Sequence, residues 1–142
     1  MHKPLYAVID TNVVVSALLK PDSVPGQVFM RALTGEITPV LSIGIREEYV
    51  EVLARKKFKF DQELVGRVLA AFEEKAVYRS PAHNPDALAL VPDPKDVEIY
   101  AVTLSAREEW EARLVTGNTK HFPQTAFVVT PRQMLDLLEE QQ

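Results

Sequence analysis

The 142-residue sequence has no cysteine, only five glycines and no apolar run that approaches the length of a membrane span. Without cysteine there is no disulfide and no thiolate metal site, which excludes disulfide-stapled scaffolds and cysteine-based zinc folds. A helix needs about 20 apolar residues to cross a bilayer. We therefore expect a soluble protein without a membrane partner.

The sequence also lacks an excess of positive charge. Its formal net charge is −4, so nucleic acid or anionic lipid is not attracted to the molecule as a whole, and any contact with a polyanion must be local. Residues 1–4 run into the first predicted strand without a signal-peptide core, so a cytoplasmic location is expected. The length and the content of 46% hydrophobic and 25% charged residues predict one domain over residues 1–142.

What the sequence does contain is an apolar run that ends in small polar residues. Tyr6–Ile9 is followed by Asp10, Thr11 and Asn12, and the apolar pattern then resumes up to Leu19. A continuous apolar run is typical of a strand buried on both faces, and the polar residues after it are typical of a helix start. Asp10 is thus predicted at the carboxyl end of a central strand, where open α/β sheets bind ligands. The alternative is that Asp10 or Thr11 only caps the helix.

The rest of the chain alternates strand-like and helix-like segments. Further strands are predicted at Thr38–Leu41, Ala76–Tyr78, Arg113–Thr116 and Phe127–Val129. A turn cluster is predicted at 20–26 and a loop at 80–94. A helix that starts near Val28 and is closed by Gly35 is predicted after the turn cluster, and later helices are predicted to begin after Ser42, Asp61, Asp93 and Thr130. Strands that alternate with helices favour parallel pairing through right-handed crossovers, and hence an α/β/α sandwich.

Three polar elbows, at 10–12, 93–96 and 117–118, follow strand-like or loop segments. In a parallel sheet such elbows share one edge, and Glu48 could reach it from its helix. Converging carboxylates repel one another and take up protons unless a cation lies between them. Mg²⁺ and Mn²⁺ prefer carboxylate and water oxygens and fit such a site, whereas structural zinc does not. Helix capping is the alternative role of the second elbow.

The segment Arg55–Phe60 interleaves four cations with two aromatic residues. This pattern predicts binding of RNA through phosphate contacts, with a base stack on Phe58 or Phe60. The phosphate contacts are assigned to Lys56, Lys57 and Lys59. A merely solvated surface is the competing interpretation, because charge runs between helices are common.

Four blocks of the sequence together resemble the PIN-domain nucleases, and within them the bacterial and archaeal toxins of toxin–antitoxin pairs. The blocks are Val8–Val13, Ser42–Leu53, Asp93–Asp96 and Val115–Pro123, in the family's order. The resemblance implies a five-stranded parallel sheet of order 3-2-1-4-5 flanked by helices. It also implies a metal-dependent nuclease that usually cuts RNA.

The resemblance places the family's acidic site on Asp10, Glu48 and Asp96, as catalytic residues and as ligands of Mg²⁺ or Mn²⁺. Asp93 and Asn118 are further ligand candidates. The implied reaction is hydrolysis of a phosphodiester by a metal-activated water. Many relatives have an aspartate in place of Asn118, and an amide oxygen can ligate Mg²⁺ but lacks the charge. A PIN domain that binds RNA or a protein without cleavage is therefore the alternative function.

Two neighbouring polar residues and one histidine complete the candidate site. Thr11 and Asn12 are assigned to substrate phosphate or to fixing the metal ligands, with helix capping as the alternative. His121 is a lone loop histidine and is left out of the site. A phosphoacceptor receiver domain would need a second acidic residue beside the first strand and a late lysine before proline, but the late dipeptide is Thr130-Pro131.

The resemblance further implies two protein partners. One is a cognate antitoxin-like inhibitor, and the other is a second copy of the chain in a homodimer. The apolar faces of the first three helices, including Val28, Phe29 and Tyr49, are expected to offer more hydrophobic surface than one sheet face covers.

Overall fold

The computed structural model describes residues 4–141, in which five β-strands alternate with seven α-helices. The strands are β1 (Leu5–Ile9), β2 (Ile37–Leu41), β3 (Val77–Tyr78), β4 (Arg113–Val115) and β5 (Val128–Val129). The helices are α1 (Thr11–Leu19), α2 (Val24–Leu33), α3 (Ile43–Leu53), α4 (Gln62–Lys75), α5 (Pro85–Leu88), α6 (Pro94–Arg107) and α7 (Pro131–Glu140). Two short 3-10 helices cover Lys56–Phe58 and Thr119–His121. The expectation for residues 1–3 lies outside the described residues.

The five strands form one parallel sheet in the order β3-β2-β1-β4-β5, which confirms the predicted topology. The central strand β1 pairs with β2 on one side, where Leu5 lies opposite Ile37, and with β4 on the other, where Ile9 lies opposite Val115. The chain moves outward from β1 to β3 and then returns to β4. The strand order therefore reverses between β1 and β4, and the crevice at their carboxyl ends is the usual ligand position in such sheets.

Helices cover both faces of the sheet. Helices α2 and α4 pack on β2, whereas α6 packs across β1, β2 and β4. Because the crossovers are right-handed and the chain reverses direction after β3, α6 lies on the face opposite to α2 and α4. The predicted α/β/α sandwich is confirmed. Its core includes an aromatic cluster in which the Phe72 ring stacks on Phe29 at 5.1 Å and meets Tyr49 edge-on at 5.9 Å.

Helix α2 begins inside the predicted turn cluster, so the expected boundary is wrong by several residues. The Ser23 hydroxyl accepts a hydrogen bond from the Gly26 amide at 3.2 Å and caps the helix, and Pro25 is tolerated in the first turn. A Cβ at Gly26 would overlap the Pro21 carbonyl. Proline and glycine, which usually mark turns, here permit a tight helix start.

Helix α5 lies within the segment that was predicted to be a loop. Asn84 caps it by accepting a hydrogen bond from the Ala87 amide at 3.2 Å, and Pro85 occupies its first turn. A helix of four residues is too short to show apolar periodicity, so the sequence pattern could not reveal it.

The helix faces that were expected to be in excess are covered by the protein itself. Val28, Phe29 and Tyr49 are 0%, 4% and 1% exposed and belong to the core. They cannot supply a dimer surface, so this physical reason for a homodimer was wrong. Within residues 4–141 no helix combines the length and the apolar character needed to cross a membrane.

Candidate active site

Asp10 lies where β1 ends and α1 begins, and its carboxylate is held from three sides. Its Oδ1 accepts the Thr11 amide at 2.8 Å, which is a helix cap, and its Oδ2 accepts the Thr116 hydroxyl at 2.8 Å. The Asn12 side-chain amide also donates to Oδ2, at 3.3 Å. Asp10 is only 7% exposed. Asp10 thus caps α1, but capping alone does not explain why Thr116, directly after β4, holds the second oxygen.

The surroundings of Asp10 make its negative charge unfavourable in the metal-free protein. Burial, followed by the charges of Asp96 and Glu48, raises the pKa of Asp10 from 3.8 to about 6, against the opposing effect of the Thr116 hydrogen bond. A carboxylate whose pKa is raised by burial and by like charges is typical of functional sites. The three acids that the sequence assigned to the site thus lie close enough to interact.

Helix α3 brings Glu48 to the start of α1. Ser42 caps this helix by accepting the Ile45 amide at 3.1 Å. In the second turn of the helix, Glu48 accepts a hydrogen bond from the Thr11 hydroxyl through Oε2. The adjacent Tyr49 is buried and donates its hydroxyl to the Ile9 carbonyl, the last of β1. Burial and the Asp10 charge raise the pKa of Tyr49 well above its usual value, so it stays protonated.

Helix α6 places two aspartates differently within its first turn. Asp93 is exposed and caps the helix, since its Oδ1 accepts the Lys95 amide at 2.9 Å. The side chain of Asp96 is 17% exposed, and within residues 4–141 its buried Oδ2 has no hydrogen-bond partner. His121 Nδ1 lies 3.5 Å from that oxygen. Burial and the Asp93 charge raise the pKa of Asp96, opposed by His121. Asp96 therefore has an oxygen available for a cation.

The elbow after β4 is tied to the elbow after β1. Thr116 is fully buried, and its hydroxyl donates to Asp10 while accepting the Asn118 amide at 3.0 Å. The Gly117 amide donates to Asn12 Oδ1 at 3.2 Å. The Asn118 side chain is exposed and makes no capping hydrogen bond. The two elbows are therefore linked by hydrogen bonds, with the exposed Asn118 at their edge.

These residues surround one cleft of about 430 Å³ at the carboxyl edge of the sheet. Its lining includes all the predicted acidic positions and their polar neighbours, namely Asp10, Thr11, Asn12, Glu48, Asp93, Asp96 and Asn118. Arg55, Phe58, Lys95 and His121 also line it. The predicted lysines Lys56, Lys57 and Lys59 do not line the cleft and are exposed beside it.

Two residues that position the acids were not identified from the sequence. Thr116 lies directly after β4, at the start of a polar block. Because β4 was expected beside β1, the sequence spacing could have predicted a contact between Thr116 and Asp10. Tyr49 was counted only as an apolar position of α3, and nothing in the sequence marks its hydroxyl as the partner of Ile9. Lys95, between the two aspartates of α6, was also overlooked as a cleft residue.

The oxygen atoms of the cleft are suited to a hard divalent cation that is bound by few protein ligands. Among the described residues, no group of three or more histidine, cysteine, aspartate or glutamate side chains is placed to hold a metal ion. Mg²⁺, however, is usually bound by one or two carboxylates, with waters and substrate phosphate completing its shell. The unpartnered oxygen of Asp96 and the buried, charge-crowded Asp10 meet that requirement.

Comparison with known proteins gives one family. The family model described as PIN domain matches residues 6–120, from the second residue of β1 to beyond β4, and includes every acidic residue of the cleft. Neither the curated proteins nor the solved structures gave a significant match. PIN domains are generally nucleases, and they typically use divalent metal ions. With most of its length covered by that family model, the chain belongs to the PIN-domain family.

Proposed function

We propose that this protein is a metal-dependent endoribonuclease that hydrolyses RNA phosphodiester bonds and acts as the toxin of a toxin–antitoxin pair. The observation that carries the nuclease proposal is the convergence of Asp10, Glu48 and Asp96 in one cleft at the point where the strand order reverses. Asp96 there presents a buried oxygen that has no hydrogen-bond partner within residues 4–141.

Asp10 and Asp96 are the residues that would hold Mg²⁺ or Mn²⁺, and Asn118 and Asp93 line the same cleft as further oxygen donors. When bound, such an ion polarises the scissile phosphate and lowers the pKa of a bound water toward neutrality. Asp10 is prevented from rotating because Thr116 and the Thr11 amide each hold one of its oxygens. Such fixing of a ligand by its neighbours is a common way of tuning a metal site.

Glu48 is the residue that would orient the attacking water. Its Oε2 is engaged by the Thr11 hydroxyl, which fixes the carboxylate and leaves Oε1 for a water in the cleft. The Thr11 amide also donates a hydrogen bond to Asp10, so Thr11 links the two carboxylates. Thr11 therefore connects Asp10 and Glu48 without substrate.

The side chains of Thr11 and Asn12 have hydrogen-bond partners inside the protein. Thr11 donates to Glu48, and Asn12 joins Asp10 to the Gly117 amide. These contacts support a role in fixing the acids rather than direct contact with substrate phosphate.

The wider biological role follows from the family resemblance. A toxin would need an antitoxin-like inhibitor, a cytoplasmic location and access to cellular RNA. A homodimer and a single domain over residues 1–142 are also part of the proposal. Light scattering checks the dimer, and a monomeric mass at micromolar concentration would contradict it.

A PIN domain that binds RNA or a protein without cutting is the second candidate. Asn118 supports it, because an amide takes the position of a carboxylate in many relatives. The lack of a group of three titratable metal ligands within residues 4–141 also supports it. This candidate predicts binding without metal-dependent cleavage.

The deciding experiment is incubation of pure protein with mixed RNAs, with and without Mn²⁺. We expect cleavage that requires Mn²⁺ and stops on chelation. Asp10→Asn is the control variant, since it keeps the size of the side chain and removes the charge. Intact RNA in every sample, together with retained RNA binding, would favour the second candidate.

The exposed lysines beside the cleft test whether RNA binding extends along the surface. Replacing Lys56, Lys57 and Lys59 together with alanine should weaken binding at low salt. Each lost phosphate contact on a single strand flattens the slope of log K against log salt by about 0.7, so three contacts change it by about 2. An unchanged slope would mean that these lysines are only solvated surface.

A further inference from the structure

Phe58 lies on the rim of the acidic cleft, in the 3-10 helix that follows α3. Lys59, directly after it, has a φ of 56° in the left-handed region, which ends the 3-10 helix and turns the chain. A non-glycine residue in that conformation is uncommon and holds a tight local structure. The half-buried ring of Phe58 lines the cleft together with the acids.

The two aromatic residues of this segment have different surroundings. Phe60 packs against the hydrophobic core, and its ring stacks with that of Phe58 at 5.5 Å and an angle of 17°. Within the part of the chain that the structure describes, Phe58 is not among the side chains packed against the core. Phe60 therefore has a structural role, whereas the position of Phe58 is not explained by core packing.

Cations accompany Phe58 around the cleft. Arg55 lines it and is held by a two-point contact with Glu51, at 3.2 Å and 2.9 Å. Lys95 lines it from α6. The ammonium of Lys57 lies 5.1 Å from the centre of the Phe58 ring. An aromatic ring beside fixed cations is the arrangement by which proteins hold single-stranded nucleic acid, through base stacking and phosphate contacts.

We propose that Phe58 stacks on the base of a nucleotide next to the scissile phosphate, while Arg55 and Lys95 contact the flanking phosphates. This inference rests on the proposed ribonuclease function and adds a specificity-determining residue to it. Phe60 covers one face of the Phe58 ring, so a base would stack on the other face, in place of the exposed Lys57 ammonium. A base can stack there only when it is unpaired. Phe58 therefore requires one unpaired nucleotide beside the cleavage position, whatever its base, because every base has a stacking face.

The test measures binding separately from cleavage. Short single-stranded RNA oligonucleotides, with 2-aminopurine at one position beside a central phosphate, are titrated with the Asp10→Asn protein in Mg²⁺, so that bound RNA stays intact. Stacking on Phe58 quenches the fluorescence. In this background Phe58→Ala should lose the quenching and bind about 10-fold more weakly, the usual size of one base stack.

Three controls distinguish stacking from a change of structure. Phe58→Tyr keeps the stacking face and should retain binding. Phe60→Leu replaces the neighbouring aromatic residue, which contacts Phe58 but does not line the cleft, and it should weaken binding less than Phe58→Ala does. An oligonucleotide with an abasic site at the stacking position should bind weakly to the wild-type Phe58 protein and no more weakly to Phe58→Ala.

The stacking inference would be overturned if the proteins with Phe58 and with Phe58→Ala bound the RNA with equal affinity. It would also be overturned if the abasic site weakened binding to Phe58→Ala as much as it weakens binding to the protein with Phe58. Cleavage of RNA by wild-type protein together with that result would leave the nuclease proposal standing. Loss of quenching in Phe58→Ala with no cleavage by wild type would instead support stacking and contradict the nuclease proposal.

Discussion

The two edges of the parallel sheet carry cavities of similar size but of different chemistry. The carboxyl edge has the 430 Å³ cleft with Asp10 and Asp96, and the amino edge has a cavity of 590 Å³. The amino-edge cavity is lined by residues near the starts of β1 and β4, where the Tyr6 and Trp110 rings stack at 4.2 Å and 5°. The amino-edge cavity is therefore the larger of the two, and its wall includes these stacked aromatic rings.

The two edges differ in whether their carboxylates are paired with cations. At the amino edge, Glu109 is paired with Arg79 at 2.7 Å, and the Arg79 guanidinium also lies over the Trp110 ring at 5.5 Å. At the carboxyl edge, Asp10 has a pKa raised to about 6, and the buried Oδ2 of Asp96 accepts no hydrogen bond among the described residues, although His121 Nδ1 lies 3.5 Å away. A carboxylate that is paired with a cation stabilises a surface, whereas carboxylates that are buried and crowded by like charges indicate a site for a cation.

The largest expected effect lies within the carboxyl edge itself. Asp96→Asn should lower metal-dependent cleavage by about 10³-fold, in the upper range for loss of one preorganised catalytic group. Asp93→Asn should lower it by less than about threefold, because an amide still caps α6. Steady-state cleavage of one defined RNA gives both values. If Asp93→Asn is the more damaging change, the third acidic position is assigned to the wrong residue.

Glu48→Gln should also impair cleavage severely, since it removes the carboxylate that Thr11 fixes for the water. The matched control is Glu51→Gln, one turn further along α3, which should leave the metal dependence unchanged. Equal rates for Glu48→Gln and wild type would remove Glu48 from the catalytic residues.

The next effect concerns stability rather than activity. The folded-state pKa of Asp10 is about 6, above its usual 3.8, so the folded metal-free protein binds this proton more tightly than the unfolded chain does. Stability from this group is full below pH 4 and is lost as the pH rises through 6. At 1.36 kcal/mol per pKa unit the loss is about 3 kcal/mol. Asp10→Asn should therefore be more stable than wild type by up to that amount above pH 7.

Denaturant titrations of the metal-free proteins at pH 4 and pH 8 check this expectation. The stability advantage of Asp10→Asn should be near zero at pH 4 and largest at pH 8. Addition of Mn²⁺ at pH 8 should stabilise wild type and not the variant, because a ligand stabilises the state that binds it. An advantage that is the same at both pH values would show that burial of the charge is not its cause.

A smaller effect is expected from Asn118→Asp, which adds a carboxylate at the exposed end of the β4 elbow. It should strengthen metal binding by about 10-fold, since affinity for hard cations rises with the number of charged ligands. The metal-free variant should melt at a lower temperature and recover more on adding Mn²⁺. Identical metal dependence of cleavage in variant and wild type would place Asn118 outside the reach of the ion.

The smallest effect on activity belongs to the amino edge. Trp110→Ala removes the stack with Tyr6 and should cost about 1–3 kcal/mol of stability, yet cleavage well below the melting temperature should stay within about twofold of wild type. Trp110→Phe is the matched control and should recover most of the stability. A loss of cleavage that follows Trp110→Ala and is restored by Trp110→Phe would mean that the two edges are coupled.

Much of the fold was predictable because it depends on local patterns. Apolar runs such as Tyr6–Ile9 and caps such as Ser42 and Asp61 specify strands and helix starts by themselves. The start of α2 and the helix α5 were missed, because Pro25 and Pro85 are turn residues by composition and first-turn helix residues by position. Local composition does not distinguish these two uses of proline.

The acidic positions were predictable, but their environment was not. Parallel strands bring the ends of β1 and β4 together, so Asp10 and the Gly117 elbow could be placed at one edge from spacing alone. The hydrogen bond from Thr116 to Asp10 and the unpartnered oxygen of Asp96 depend on side-chain packing between distant segments. The same holds for Phe58, whose separation from the core no periodicity reveals.

The most direct measurement is a titration of the metal-free protein with Mn²⁺, followed by the loss of the free-ion electron paramagnetic resonance signal. We predict one Mn²⁺ site in wild-type protein, lost in Asp10→Asn and in Asp96→Asn and retained in Asp93→Asn and Trp110→Ala. Binding of Mn²⁺ that is unchanged in both Asp10→Asn and Asp96→Asn would contradict the assignment of the carboxyl edge as the metal site.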